Sequence, residues 1–114
     1  MIAVIFEVQP HDDRYNDYLE FAAKLSPLLE TIDGFISIER FQSLSDERRI
    51  LSLSFWRDED AVRAWRQQET HRQTQAAART EIFRDYRLRV AAVLRDYGLH
   101  DRTEAPADSR EALA

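Results

Sequence analysis

The stretch RILSLSFWRDEDAVRAWRQQETHRQTQAAARTEIFRDYRLR, residues 49–89, decides the fold of this chain. An alternating β-branched and aromatic run over 49–56 predicts a strand. Acidic residues followed by apolar residues at helical spacing predict a helix over 58–68. A second alternating run predicts a closing strand over 82–95. We expect the binding site of the protein to lie across this second half of the domain.

The middle of this stretch predicts a helix in two parts. Its first part has a buried stripe of Ala61, Val62 and Trp65, and polar residues then replace the apolar ones that are due. Thr70 and the glutamine three residues later fit a capping box, so we expect a new short helix to begin at His71. A break of this kind leaves room between a helix and the sheet below it, where a small ligand can bind.

The strands outside this stretch complete a sheet. Residues 1–9 are apolar on both alternating faces, which is typical of a strand that is buried on both sides. Residues 35–43 alternate and form a predicted hairpin with 49–56, because the connection between them is short and rich in turn residues.

The helix between the first two strands is predicted over residues 12–32. Asp12 or Asp13 is positioned to cap its N-terminus, and Pro27 should kink or break it. Gly34 is expected to adopt the left-handed conformation in the turn that closes this helix.

The order of elements is βαββαβ, which predicts an α+β, ferredoxin-like fold with a four-stranded antiparallel sheet and helices on one face. We expect one apolar set on the sheet to share a face: Ile36, Ile38, Leu51, Leu53, Phe55, Tyr86, Leu88 and Val90. The opposite set mixes aromatic residues with Ser, Glu and Arg. Helices cover only one of the two faces, so we expect the other to bind a second copy of the chain in a homodimer.

The totals indicate one domain over residues 1–97 and a polar, mobile tail over 98–114. The formal charge of −5 argues against a nucleic-acid or anionic-membrane partner. The chain has no cysteine, which excludes disulfides and thiolate metal sites. It shows neither a signal peptide nor a membrane-spanning run, so we expect a cytoplasmic location.

Strong catalytic motifs are absent from the sequence. With two glycines, the chain has no phosphate-binding loop and no dinucleotide fingerprint, and its three histidines are widely spaced. We therefore expect no metal and no tightly bound cofactor.

One constellation remains as a candidate site. Trp65 offers an apolar wall, and His71 is able to transfer a proton near neutral pH. Arg87 or Arg89 is positioned to stabilise an enolate or phenolate oxygen. The predicted catalytic residues are His71, Trp65 and Arg87, and the predicted substrate-binding residues are Trp65, Gln75, Phe6 and Arg89.

Each of these residues also has a structural interpretation. Trp65 fits a core stripe, and His71 fits a surface or capping position at a helix start. Arg87 and Arg89 fit ion pairs with Glu39 or Asp85, formed across strands or across a dimer.

A hairpin that ends in Phe-Trp, a helix with Ala-x-x-x-Trp, a histidine six residues later and the closing FRDYRLRV resemble the antibiotic biosynthesis monooxygenase family. The resemblance spans about residues 1–97 and implies a dimeric α/β barrel. Some members oxidise polycyclic phenols to quinones with molecular oxygen and without metal or flavin. On this resemblance, Trp65 matches the family's helix tryptophan, and Arg87 or Arg89 its strand arginine.

The resemblance implies a cofactor-independent monooxygenase that acts on a small aromatic, phenolic or quinol-type compound. Two alternatives stay open: a non-catalytic barrel that binds a small ligand in a stress response, and a haem binder with His71 as ligand. A haem-degrading branch uses an Asn on the first strand and a His ten residues after the Trp. Here that later position is Gln75, and the first strand has no Asn.

Overall fold

A computed structural model describes residues 1–71 and 81–112, with side chains described for 1–68 and 81–110. The elements are β1 (Ile2–Pro10), α1 (Tyr15–Leu29), β2 (Phe35–Gln42), β3 (Ile50–Trp56), α2 (Glu59–His71), β4 (Phe83–Ala92) and α3 (Ala107–Ala112). Within these ranges, no helix is long and apolar enough to cross a membrane.

The four strands form one antiparallel sheet in the order β2-β3-β1-β4. The first strand is therefore central, which explains why both of its alternating faces are apolar. The order of elements and the sheet confirm the predicted ferredoxin-like α+β fold.

The register of the sheet corrects the predicted assignment of faces. Ile38 lies opposite Ser54, and Ser54 lies opposite Val4, whose other neighbour is Val90. Residues directly opposite in neighbouring strands point to the same face. The inner face, which we define as the face under α1 and α2, therefore carries the serines of β3. Leu51, Leu53 and Phe55 point to the other face, so the prediction that they share a face with Ile38, Leu88 and Val90 is wrong.

The first helix begins and ends inside its predicted range. Arg14 occupies the N-cap position and its side chain makes no capping hydrogen bond, so the predicted cap by Asp12 or Asp13 is wrong. Pro27 lies in the last turn, two residues before the helix ends. The helix continues past this proline to Leu29, so Pro27 does not break it.

Gly34 adopts a positive φ of 94°, as the sequence predicts. It lies against the first turn of α2, and a Cβ atom at this position would come 2.8 Å from Cβ of Ala61. The glycine therefore permits both the left-handed turn and the close approach of α2 to the start of β2.

The second helix begins where the acidic residues predict. The backbone N–H of Ala61 donates a 2.9 Å hydrogen bond to Oδ1 of Asp58, which caps the first turn. The helix continues without interruption to His71. The predicted end of this helix at residue 68 is therefore wrong, because polar residues on the exposed side of a helix end its apolar stripe without ending the helix. The short helix predicted to begin at His71 falls mostly on residues 72–80, outside the described residues.

The core consists of two clusters beneath the helices. One contains Val8, Tyr18, Ile50 and Ile82, and the other contains Leu29, Ile32, Trp56 and Ala61. Trp56 is 1% exposed, and its Nε1 atom donates a 2.9 Å hydrogen bond to Oγ of Ser54. The indole is therefore buried with its one polar atom satisfied.

Residues 98–112, the described part of the tail, contain local turns and a short helix. The backbone N–H of Gly98 donates to the carbonyl of Asp101, and Arg102 lies 5.1 Å from the ring centre of Tyr97. Ala105 is buried, and α3 follows. Local hydrogen bonds stabilise these turns, which the apolar periodicity of the sequence does not predict.

Candidate functional site

A cavity of about 1030 Å³ lies between the inner face of the sheet and the two long helices. Its lining comes from all four strands and from α1 and α2. The lining residues on the strands include Val4, Phe6, Ile38, Arg40, Ser52, Ser54, Trp56, Leu88 and Val90. Those on the helices include Tyr18, Phe21, Ala22, Leu25, Leu29, Val62, Trp65 and Arg66. This volume is sufficient for a small organic ligand.

The floor of the cavity changes from polar to apolar across the sheet. One row runs Arg40, Ser52, Phe6 and Leu88 from β2 to β4. The next row runs Ile38, Ser54, Val4 and Val90. In these two rows the β2 and β3 positions carry a guanidinium and two hydroxyl groups, whereas the β1 and β4 positions are apolar; Arg84 and Asp85, nearer the start of β4, also line the cavity.

The polar side of the cavity is built around Arg40. Its side chain is half-buried, and its Nε atom is buried without a hydrogen-bond partner among the described residues. Ser54 accepts a hydrogen bond from Trp56, so the hydroxyl hydrogen of Ser54 remains able to donate. These donors give the polar side its capacity to bind an acceptor group.

Tyr18 approaches the same guanidinium from α1. Burial raises the pKa of the Tyr18 phenol, and the charge and side-chain interaction of Arg40 oppose part of that rise. The phenol is therefore neutral at physiological pH, and it is a hydrogen-bond donor rather than a base.

The structure brings two of the predicted site residues to the cavity. Trp65 lies on α2, lines the cavity and contacts the core cluster around Trp56. Phe6 lies on the floor, with its ring centre 5.8 Å from that of Phe83 and 5.6 Å from that of Tyr86. Trp65 thus belongs to the core stripe and also forms part of the cavity wall.

The two predicted arginines lie on the other face of the sheet. Arg89 is opposite Ile5, and its Nη1 atom is 3.1 Å from Oε1 of Glu7. Arg87 is opposite Glu7 and lines a separate polar recess of about 360 Å³. Alternation along β4 explains this placement, because Leu88 and Val90 take the inner positions. The structure does not bring Arg87 or Arg89 to the cavity, and Arg89 pairs with Glu7 rather than with Glu39 or Asp85.

The remaining predicted residues lie at or beyond the end of the described part of α2. His71 is its last residue, and the side chain of His71 is outside the described residues. Gln75 is also outside the described residues. Over the described ranges, no group of three His, Asp or Glu side chains is arranged to hold a metal ion.

Arg40 is the cavity residue that the site prediction missed. The sequence does contain a signal for it: Arg40 shares the alternation of Ile36 and Ile38, so it is a charged residue in an apolar phase of a strand. Such a residue is uncommon on a buried face unless it is paired or binds a ligand.

The chain matches the antibiotic biosynthesis monooxygenase family over residues 1–77. It therefore belongs to that family. A curated relative, jasmonate monooxygenase from Pyricularia oryzae, is 47% identical over 93 residues. The match covers 82% of this chain but 43% of that relative, so the chain spans less than half the length of that protein.

Solved structures show the same fold at low sequence identity. SnoaB, a cofactor-independent oxygenase from Streptomyces nogalater, superposes with a TM-score of 0.70 at 13% identity, covering 83% of this chain and 94% of that one. A conserved protein from Methanosarcina mazei superposes with a TM-score of 0.68 at 15% identity, covering 79% and 89%. At these identities the likeness establishes the fold alone.

Proposed function

We propose that this protein is a cofactor-independent monooxygenase that oxidises a small phenolic or quinol-type molecule with molecular oxygen. The observation that carries the proposal is the cavity, which has an apolar floor, a tryptophan wall and a polar side, in a member of this family. The relative named a jasmonate monooxygenase and the fold shared with a cofactor-independent oxygenase support oxygen chemistry.

The reaction balances without an external reductant when the substrate supplies all the electrons. An activated CH2 group loses a proton, and the resulting carbanion reduces O2 and combines with it to form a hydroperoxide. Loss of water then leaves a carbonyl, so the carbon gains one oxygen and loses two hydrogens while the second oxygen atom leaves as water. The substrate must therefore have an acidic C–H that is conjugated to a phenol or a ketone.

The residues around the cavity have distinct roles in this proposal. Trp65 and Phe6 hold the aromatic body of the substrate against the apolar part of the floor. His71 at the end of α2 accepts the proton. Gln75 remains a proposed substrate contact, and Arg40, the arginine of β2 that lines the cavity, replaces Arg87 or Arg89 as the residue that binds an anionic group of the substrate.

We also propose that two copies of the chain associate through the face of the sheet that the helices leave open. Ile5, Leu51, Leu53 and Phe55 give this face an apolar centre, and each is only half-buried in the single chain. Covering such a centre is a common reason for dimer formation.

Oxygen uptake by metal-stripped protein tests the proposed reaction. The panel comprises anthrones, naphthols and hydroquinones, with product analysis after each addition. Protein-dependent uptake of one O2 per carbonyl formed from an anthrone or a naphthol, without release of hydrogen peroxide, supports the oxygenase. Ligand binding without uptake across the panel supports the alternative of a binding protein, whereas a strong visible band on titration with haem supports the haem-binding alternative.

A further inference from the structure

We infer that the cavity binds a substrate with a carboxylate group, and that Arg40 is the residue that anchors this carboxylate. The inference rests on the proposed function, because it names the class of substrate for the same cavity. The oxidation itself does not require a residue that holds a carboxylate, so the inference assigns Arg40 a role in substrate binding.

The first argument is the unpaired Nε atom of Arg40, whose guanidinium otherwise interacts with the Tyr18 phenol. The Nε atom of Arg40 is buried and has no hydrogen-bond partner among the described residues. A buried donor left unpaired costs free energy, and a bound acceptor removes that cost. A carboxylate suits the position because it accepts two parallel hydrogen bonds from one guanidinium.

The second argument is the charge around the cavity. The charged side chains among its described lining residues are Arg40, Arg66, Arg84 and Asp85, and Tyr18 and Tyr86 add two phenols. Burial raises the pKa of Tyr18, so its phenol is neutral at pH 7. Arg40 and Arg84 against Asp85 give the lining a net positive charge even when Arg66 is left out, although the chain as a whole carries −5. This local reversal of sign favours an anionic ligand.

The third argument is the direction of the polarity. Arg40 and Leu88 lie at opposite ends of one row that crosses four strands. Three strand spacings correspond to about 14 Å. A ligand anchored at Arg40 therefore extends its apolar body over Phe6 toward Leu88, beneath the wall formed by Trp65. The geometry fits an amphiphile with one acidic end.

The relative named for jasmonate is consistent with this class, because jasmonate is the anion of a carboxylic acid with a cyclopentanone body. Jasmonate and methyl jasmonate therefore form one matched pair of probes. Decanoate and methyl decanoate form a second acid–ester pair, whose apolar body is a chain without a ring. In each pair, only the acid carries the negative charge.

Calorimetric titration of the whole chain with both pairs tests the inference. We expect each acid to bind the natural protein at least ten-fold more tightly than its ester. Arg40→Met should weaken binding of the acids roughly 10- to 100-fold and remove the preference over the esters. Arg40→Lys keeps the charge without the planar fork, and it should recover part of the affinity.

The matched control is Arg48→Met, which removes an exposed arginine that pairs with Asp46 in the β2–β3 hairpin. It should leave all four affinities unchanged. Thermal unfolding of each variant shows whether the protein is folded, and the conservative Arg40→Lys variant keeps the test informative if Arg40→Met unfolds.

Three results would overturn the inference. Equal affinity of acid and ester for the natural protein excludes a carboxylate site. An acid preference that survives Arg40→Met places the anion elsewhere on the lining. Binding of 1-naphthol ten-fold tighter than both acids at pH 7 identifies a phenol rather than a carboxylate as the ligand class.

The inference and the proposed function fail in different ways. Acid binding that depends on Arg40, without any oxygen uptake, refutes the oxygenase and leaves the anchor intact. Oxygen uptake that is equally fast with a substrate acid and its methyl ester refutes the anchor and leaves the oxygenase intact.

Discussion

Substituting Gly34 with alanine should destabilise the protein and disturb the start of α2. The φ of Gly34 is +94°, a conformation that costs a residue with a Cβ atom about 1–2 kcal/mol. The new Cβ would also lie 2.8 Å from Cβ of Ala61 and 3.3 Å from Cζ of Arg57. Arg57 is flexible and exposed, whereas the Ala61 methyl is buried and fixed to the helix.

The two costs add to a measurable loss. Overpacking of a buried contact costs about 1–3 kcal/mol, so we expect Gly34→Ala to lower the free energy of unfolding by about 2–5 kcal/mol. For a domain of this size, that corresponds to a fall in Tm of roughly 10–20 °C. Denaturant unfolding followed by circular dichroism measures the free energy directly.

A double-mutant cycle separates the steric cost from the backbone cost. Ala61→Gly removes the methyl that meets the new Cβ, so Gly34→Ala should cost about 1–3 kcal/mol less in that background. Gly98→Ala is the matched control, because nothing lies within 4 Å of a Cβ at that position. Zero coupling between positions 34 and 61, or equal losses at 34 and 98, would refute the close approach of α2 to this turn.

The remaining predictions concern the site and the assembly. His71→Ala should cut turnover of an accepted substrate on the order of 10²-fold, and an unchanged rate would remove His71 from the mechanism. Trp65→Ala should weaken ligand binding more than Trp65→Phe, because it removes the cavity wall, and titration calorimetry of both variants checks this order. The pKa of Tyr18 is raised in the fold, so its contribution to stability is complete below about pH 10 and is lost as pH rises further. Tyr18→Phe should accordingly reduce the slope of stability against pH above pH 10, and an identical slope would contradict the raised pKa. Light scattering should give twice the 13.4 kDa of one chain, and a value for a single chain would exclude the proposed homodimer.

The fold was predictable because most elements follow simple periodicities. The central strand is apolar in both phases, and Ala61, Val62 and Trp65 form the expected stripe on α2. Gly34 was predictable for a similar reason, because a turn with positive φ favours glycine. Helix ends were less predictable, since the polar residues after Trp65 end the stripe and not the helix.

The faces of β3 were not predictable from its alternation. Leu51, Leu53 and Phe55 have the pattern of a buried face, yet the serines between them lie under the helices, where Ser52 is 8% and Ser54 is 6% exposed. Small side chains at these inner positions leave room for the cavity. Departures of this kind from the hydrophobic pattern are expected at functional sites, where a protein gives up apolar packing for a ligand.

Arg40 illustrates the same conflict in a single residue. The hydrophobic pattern alone predicts an apolar residue at position 40, which alternates in step with Ile38. A charged residue there is therefore unexpected on the inner face. Arg87 and Arg89 lie in the closing strand that carries the family resemblance, which favours them as site residues from the sequence. Only the register of the sheet shows that Arg40 faces the cavity and that Arg87 and Arg89 of β4 do not.

A crystal structure of the protein with a bound carboxylate such as jasmonate tests the central claim most directly, because it locates the ligand on one face of the sheet or the other. The account predicts a carboxylate within hydrogen-bond distance of the Arg40 guanidinium and an apolar body between Trp65 and the floor at Phe6. A carboxylate bound at Arg87 or Arg89, on the opposite face, would contradict it.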